Sequence, residues 1–308
     1  HVCSISSFPA YSGLVQVVQI RLVKKKHDNY NRINFDYLFQ THDEVREEKL
    51  RTLLHYFDRI TEKMPNGIVS FERCVQPGMG NETQWPDFDS AQDKIQEVHI
   101  LGTGIIEREG EKYVQADFAN KFIGGGVLGF GCVQEEIRFL ICPEFIVSML
   151  FTEVMQDNEC VVITGAEMFS KYTGYSDTYK FDKNHVDRTN RDCLKRRMTQ
   201  LVAMDAIPYY DDKRKQYQAR KINRDIQKAF ISFNSTNTKA TIATGNWGCG
   251  AFGGDPELKV RPLNRYDKIK FKQIRLIGNL QNVKIFEKYA SGSSLFFGTS
   301  CNMQLIFF

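Results

Sequence analysis

Two glutamates, Glu135 and Glu136, stand just behind a run of glycines, Gly124-Gly125-Gly126, with Gly129 and Gly131 in between. Three consecutive glycines are poor in a helix or a strand and predict a loop. Such a loop, running into a helix, presents backbone N–H groups to anions such as phosphates. Two carboxylates facing that phosphate would repel it, so they must address another part of the same ligand, such as a sugar. Neighbouring residues on a helix point about 100° apart at ~3.6 residues per turn, so the two acids divide the work. One can donate a proton to a leaving oxygen while the other binds a hydroxyl or steadies positive charge, the division glycosidic cleavage needs. Paired acids at a helix start also simply complement the helix dipole; their place behind the glycine loop is what points to chemistry. A second glycine-rich stretch, Gly245-Asn246-Trp247-Gly248-Cys249-Gly250-Ala251-Phe252-Gly253-Gly254-Asp255, follows a strand-like segment. Two such loops can clasp a diphosphate. Tyr172 and Tyr175 offer faces for stacking a base; spacing alone fits half-buried core tyrosines equally well.

These groups need a scaffold. Apolar residues from Glu44 to Ile60 (Leu50, Leu53, Leu54, Phe57, Ile60) fall at helical spacing, and Pro65-Asn66-Gly67 ends the pattern. Strands are predicted at Val15–Val23, Ile68–Phe71, Ile95–Ile100, Tyr113–Phe118, Cys160–Thr164, Leu201–Met204 and Ala240–Thr244. Helices are predicted at Glu135–Leu140, Glu144–Val154 and Ala219–Phe230. Residues 76–94 read as a loop and a domain boundary. The alternation implies an α/β fold, a largely parallel sheet with helices on both faces. Ligands then sit beyond the carboxyl ends of strands, and the loops after Phe118, Thr164 and Thr244 are expected to converge on one cleft.

The totals narrow the class. The 308 residues can bury a real core in one large domain or two. The net charge of +4 is uneven: residues 259–308 carry +7 and residues 1–258 carry −3. The portion with the glycine loops is therefore not a nucleic-acid binder by bulk charge, and no direct nucleic-acid binding is expected. Lys24-Lys25-Lys26 reads as a solvated face. The eight cysteines are dispersed without a C-x-x-C pair and the six histidines are scattered, so no metal site is visible and a reducing compartment, nucleus or cytoplasm, is expected. No apolar run approaches the ~20 residues a membrane span needs. A start at His1 suggests a fragment or processed chain, and no signal-peptide pattern is seen.

The motif residues resemble a known family. Gly124-Gly125-Gly126 followed by Gln134-Glu135-Glu136 is similar to the signature of the eukaryotic poly(ADP-ribose) glycohydrolases. The likeness extends through Asp117–Asn120, Asn158–Cys160, Ile163–Gly165, Tyr172–Tyr175 and Thr244–Asp255, and more weakly to Ile33–Phe35 and Tyr56–Phe71. It implies a macrodomain-like three-layer fold, a mixed sheet with helices on both faces, at 95–308, and a mainly helical accessory extension at 1–94. It implies hydrolysis of ribose–ribose bonds with no cofactor or metal. Glu136 would be the general acid, Glu135 would hold ribose hydroxyls, and Asp117 would belong to the same group. Asn120 and Gln134 would contact the ribose, and Ile106 and Glu107 would recognise adenine with Tyr175 on its face. Gly124, Gly125 and Gly126, with Asn246, Trp247, Gly248, Cys249, Gly250 and Ala251, would wrap the diphosphate. Implied partners are poly(ADP-ribose) and poly(ADP-ribosyl)ated proteins in the DNA damage response, with the chain a monomer.

The likeness ends after Lys259. There the family continues with an apolar helix and a core strand near a Thr-Phe-Gly-Asp segment, whose phenylalanine frames the ribose. Residues 260–308 show neither, so the sheet is expected to lack an element. The competing reading is a module that binds ADP-ribose with little or no turnover; the retained acid pair, which a pure binder does not need, favours the enzyme.

Overall fold

The computed structural model describes residues 2–9, 29–40, 43–76, 98–101, 104–236, 240–260 and 274–277. The strands are β1 (Val2–Pro9), β2 (Ile68–Val75), β3 (Val98–Leu101), β4 (Val114–Asp117), β5 (Glu159–Thr164), β6 (Ser170–Thr173), β7 (Lys180–Asn184), β8 (Gln200–Ala203), β9 (Ile242–Thr244) and β10 (Ile274–Ile277). Eight form one sheet in the order β1-β2-β5-β8-β4-β9-β10-β3, and β6 and β7 form a separate hairpin. The helices are α1 (Glu44–Glu62), α2 (Ile106–Glu109), α3 (Gln134–Ile141), α4 (Ala219–Asn234) and α5 (Pro256–Val260).

Alternation along the strands sends successive side chains to opposite faces. Ile163, Leu201 and Ala203 join a core with α1 and α3. Val114, Ala116, Val162 and Val202 join a second core with Ile226, Ala229 and Phe233 of α4. Asp117 shares its parity with Gln115 rather than with Ala116 and so belongs to the α3 face. Helix α1 is capped by Asp43, whose side chain accepts from Val45 N at 3.1 Å. Its buried stripe contains Arg46, Lys49, Thr52, Leu53, Tyr56 and Ile60, while Leu54 is exposed.

The architecture departs from the spacing-based reading in five places. The sheet is mixed, as the family resemblance implies, and not largely parallel, as the alternation of elements implies: β8, β4, β9, β10 and β3 are parallel, but β1/β2, β2/β5 and β5/β8 are antiparallel. Between β5 and β8 the chain makes a hairpin rather than a helical crossover, and parallel pairing needs a crossover. As a result Thr164, opposite Gln200, leaves the sheet at the end away from Asp117 and Thr244. The loop directly after Thr164 therefore does not meet the other two. The predicted helix at Glu144–Val154 is a tight 3₁₀ run over Pro143–Leu150, begun by proline at its first position. The region after Lys259 does supply a strand: β10 inserts between β9 and β3. The sheet also crosses residue 94, since β1 and β2 extend it beyond β5. The expected strand at 15–23 and nearly all of the loop at 76–94 lie outside the described residues. Among the described residues no helix is long and apolar enough to cross a membrane.

Candidate active site

Strand β4 ends at Asp117, and the chain then loops through the glycines into α3. Gln134, the first residue of α3, ties the two ends of this loop. Its Oε1 accepts from Phe118 N at 2.8 Å and its Nε2 donates to Ala116 O at 3.2 Å. With α3 pinned against β4, its two acids turn into the loop they follow. Glu135 accepts from Gly124 N at 2.6 Å and Asn120 N at 2.8 Å. Glu136 accepts from Gly126 N at 2.9 Å and, closing back on its own helix start, from Val133 N at 3.0 Å. The acids thus take separate amides, as their angular offset requires.

The glycines are needed at close range. Gly125 has φ +49°, and a Cβ there would lie 2.3 Å from Glu136 Oε1 and 2.8 Å from Glu135 Oε2. Such approaches exclude any other residue without rearrangement.

Charge is concentrated here. Asp117 is fully buried, and neither of its carboxylate oxygens has a hydrogen-bond partner among the described residues. Burial, then the Glu136 charge, raises its pKa well above the usual carboxylate range, and Arg138 pulls it back. Glu135 is likewise raised, by burial first and by Asp117 and Glu136 next, against the amide bonds from Asn120 and Gly124. Asp117 and Glu135 therefore give up their protons less readily than free carboxyls do.

Strand β9 is parallel to β4, so the second glycine loop leaves the same end of the sheet. Trp247 anchors it, 1% exposed, with Nε1 donating to Met204 O at 2.8 Å. Lys259 lies over the indole at 4.7 Å and pairs with Asp225 of α4. Gly250 faces open space. Phe252 packs edge-on against Tyr210 at 6.0 Å, and Tyr210, 66% exposed, has its phenol raised by burial and then by the Glu136 charge.

The structure gathers Asp117, Asn120, Gly124–Gly126, Gln134, Glu135 and Glu136 at one point, with residues 246–251 on the same end of the sheet. The side chains of Asn120, Gln134 and Trp247 hold the protein together: Asn120 Oδ1 accepts from Phe122 N at 3.0 Å. Ile106 and Glu107 lie on α2, both buried. Glu107 accepts from the Tyr172 hydroxyl and lines a cavity of about 460 Å³ with Gln115, Arg138 and Tyr172. Tyr172 stacks on Tyr179 at 5.7 Å, the core-aromatic alternative. Tyr175, 51% exposed, stands beside the Gln134 backbone at the start of α3. The hairpin β6–β7 carries it there. Sequence reasoning missed Asn31, Lys49 and Tyr210. The first two bond to loop carbonyls from positions 77 or more residues away, and no local signal marks them.

A mixed α/β sheet between two helical layers, with a glycine loop folded onto paired acids beyond β4, defines a macrodomain-type protein. A family model described as poly(ADP-ribose) glycohydrolase, macro domain fold, matches residues 85–261, and one described as its helical domain matches residues 8–73. Poly(ADP-ribose) glycohydrolase 1 of Arabidopsis thaliana is 35% identical over 303 residues, covering 74% of this chain and 54% of its own length. Poly(ADP-ribose) glycohydrolase 1 of Caenorhabditis elegans is 41% identical over 225 residues, 69% of this chain and 28% of its own. The Deinococcus radiodurans poly(ADP-ribose) glycohydrolase in complex with ADP-ribose superposes with a TM-score of 0.40 at 12% identity, over 65% of this chain and 86% of that one; the match is too loose to carry any conclusion about residues. The chain belongs to the poly(ADP-ribose) glycohydrolase family. It spans about half the length, or less, of the curated relatives it matches.

Proposed function

We propose that this chain hydrolyses the ribose–ribose O-glycosidic bonds of poly(ADP-ribose) and releases ADP-ribose, with Glu136 as the general acid. The observation that carries the reading is the amide-held pair. Glu135 and Glu136 sit on one loop through different N–H groups, beside a buried Asp117 whose charge raises the Glu135 pKa. Glu136 protonates the leaving ribose oxygen as the C–O bond breaks. The remaining carboxylates steady the oxocarbenium-like centre. Water adds to the anomeric carbon and returns its proton to Glu136. Glu135 already accepts two amides, but a carboxylate offers about four lone-pair positions, enough to take ribose hydroxyls as well. The diphosphate lies along the main chain of residues 124–126 and 246–251, where Gly250 leaves room. Glu107 and the cavity it lines receive the adenine, with Tyr175 covering the ring. Residues 95–308 carry the acids and both glycine loops, 260–308 being the atypical tail, and residues 1–94 are the accessory region, which also lends β1 and β2 to the sheet. Poly(ADP-ribosyl)ated proteins are the macromolecular substrates.

The test is Glu136→Gln, assayed for ADP-ribose release from poly(ADP-ribose) in excess chelator, with ADP-ribose binding followed by calorimetry. Turnover is expected to fall by about 10³-fold or more while affinity stays within about threefold. Normal cleavage by the variant refutes the assignment. Binding without cleavage by the unmodified chain makes it a reader of ADP-ribose instead.

A further inference from the structure

The acid pair is held by loop amides, and the same loop is held from its other side by the N-terminal region. Asn31 Nδ2 lies 3.2, 2.8 and 2.9 Å from the carbonyl oxygens of Phe122, Ile123 and Gly125. Lys49 Nζ, on α1, donates to Gly126 O at 3.3 Å, Gly129 O at 2.8 Å and Gly131 O at 2.6 Å. The Arg46 guanidinium, one turn earlier on α1, lies 4.0 Å from the Phe130 ring at the loop tip. The loop is therefore polarised: carbonyls point to the accessory region, and the amides of Gly124 and Gly126 point to the carboxylates.

Lys49 is wholly buried. Burial pushes its pKa down to about 8, with Cys132, Glu136 and Asp43 pulling up and Arg46 pulling down. A buried ammonium is unfavourable unless its protons are satisfied. Here three carbonyls satisfy all three. An apolar residue at this point of the buried stripe would take the donor from Gly129 O and Gly131 O, while Gly126 O would keep only the loop amides of Gly129 and Gly131, so packing alone does not explain the lysine.

We propose that Lys49 and Asn31 are positioning residues of the active site, fixing the Phe122–Gly131 arc and, through its amides, the direction in which Glu136 presents its carboxyl group. The accessory region is then an integral part of the catalytic centre rather than a lid or a spacer. The catalytic half of this inference rests on the glycosidase reading above; the grip on the loop does not.

The experiment compares Lys49→Met, which keeps the apolar stem, and Asn31→Ala with the unmodified chain. Amide hydrogen exchange is read residue by residue, beside kcat and KM on poly(ADP-ribose). In Lys49→Met, exchange at Gly124 and Gly126 is expected to accelerate at least tenfold, with the β4–β8 ladder unchanged. Turnover is expected to fall about 30-fold with KM within threefold. Asn31→Ala, at a half-buried site, should move both readouts the same way by at least threefold. Unchanged loop exchange in a folded variant overturns the proposal, as does acceleration spread evenly over the sheet, which marks a merely structural lysine. If Lys49→Met does not melt cooperatively, Asn31→Ala decides by the same two readouts. An unmodified chain without turnover, whose variants still loosen the loop, sinks the glycosidase reading and leaves the grip standing.

Discussion

The two glycine-rich loops leave the same end of the sheet but are anchored differently. The first, 124–131, makes turns of its own, Val127 N to Gly124 O and Gly129 N and Gly131 N to Gly126 O, and is held besides by side chains on both sides: Asn31 and Lys49 take its carbonyls, Glu135 and Glu136 its amides. The second, 245–254, holds itself by short backbone bonds, Cys249 N to Asn246 O, Gly253 N to Gly250 O and Gly254 N to Gly248 O, around one buried anchor, Trp247. A loop whose polar groups are already paired is preorganised around its acids, and preorganised groups stabilise developing charge without reordering. A loop with an open face is suited to receive a ligand. The first loop is thus committed to the acids beside it, and the second is left with an open face at Gly250.

The largest effect expected of breaking that contrast is at Gly125. Its Cβ would overlap both glutamates, so Gly125→Ala should cost roughly 2–4 kcal/mol in urea unfolding and abolish measurable turnover. Next is Trp247→Phe, which leaves the buried Met204 carbonyl without its 2.8 Å donor. A loss of about 1–3 kcal/mol is expected, with ADP-ribose binding weakened more than turnover of bound substrate.

Asp117→Asn should act in the opposite direction. The Asp117 pKa is raised in the folded state by burial and Glu136, so the folded chain binds the proton more tightly than the unfolded one. Its contribution is present below the unfolded pKa and is lost as pH rises through the folded one. The asparagine variant should therefore melt at a higher temperature than the unmodified chain at pH 7, by about 1 kcal/mol in stability. The advantage should shrink towards pH 4, while turnover falls. An equal advantage at both pH values would show that the buried acid carries no such penalty. Smallest is Gly250→Ala, whose Cβ enters open space. Stability should stay within about 0.5 kcal/mol; if the diphosphate passes here, ADP-ribose affinity nonetheless drops about tenfold. Unchanged affinity would remove the open face from the binding reading.

Much of the fold was legible. Helix α1, helix α3, strands β4, β5 and β8 and helix α4 follow from spacings of 3.6 and 2. The glycine loop and its acids were legible too, because glycine runs and neighbouring carboxylates are local facts. The 3₁₀ run at Pro143–Leu150 was misread because an apolar stretch after proline fits either helix type by period alone. β10 was missed because its sequence shows no break in the surrounding basic stretch.

Local sequence was enough for the chemical vocabulary of this chain: a glycine loop, two acids on a helix start, and a second glycine loop behind a strand. Folding supplied the syntax. It turned β5 antiparallel and moved Thr164 to the far end of the sheet. It buried Lys49 on a stripe that the apolar pattern of α1 assigns to leucines. It matched carbonyls to donors 77 to 94 residues away. The reason is physical: period and propensity arise between neighbours along the chain, whereas burial, charge coupling and hydrogen-bond partners arise between segments that meet only once the sheet has closed.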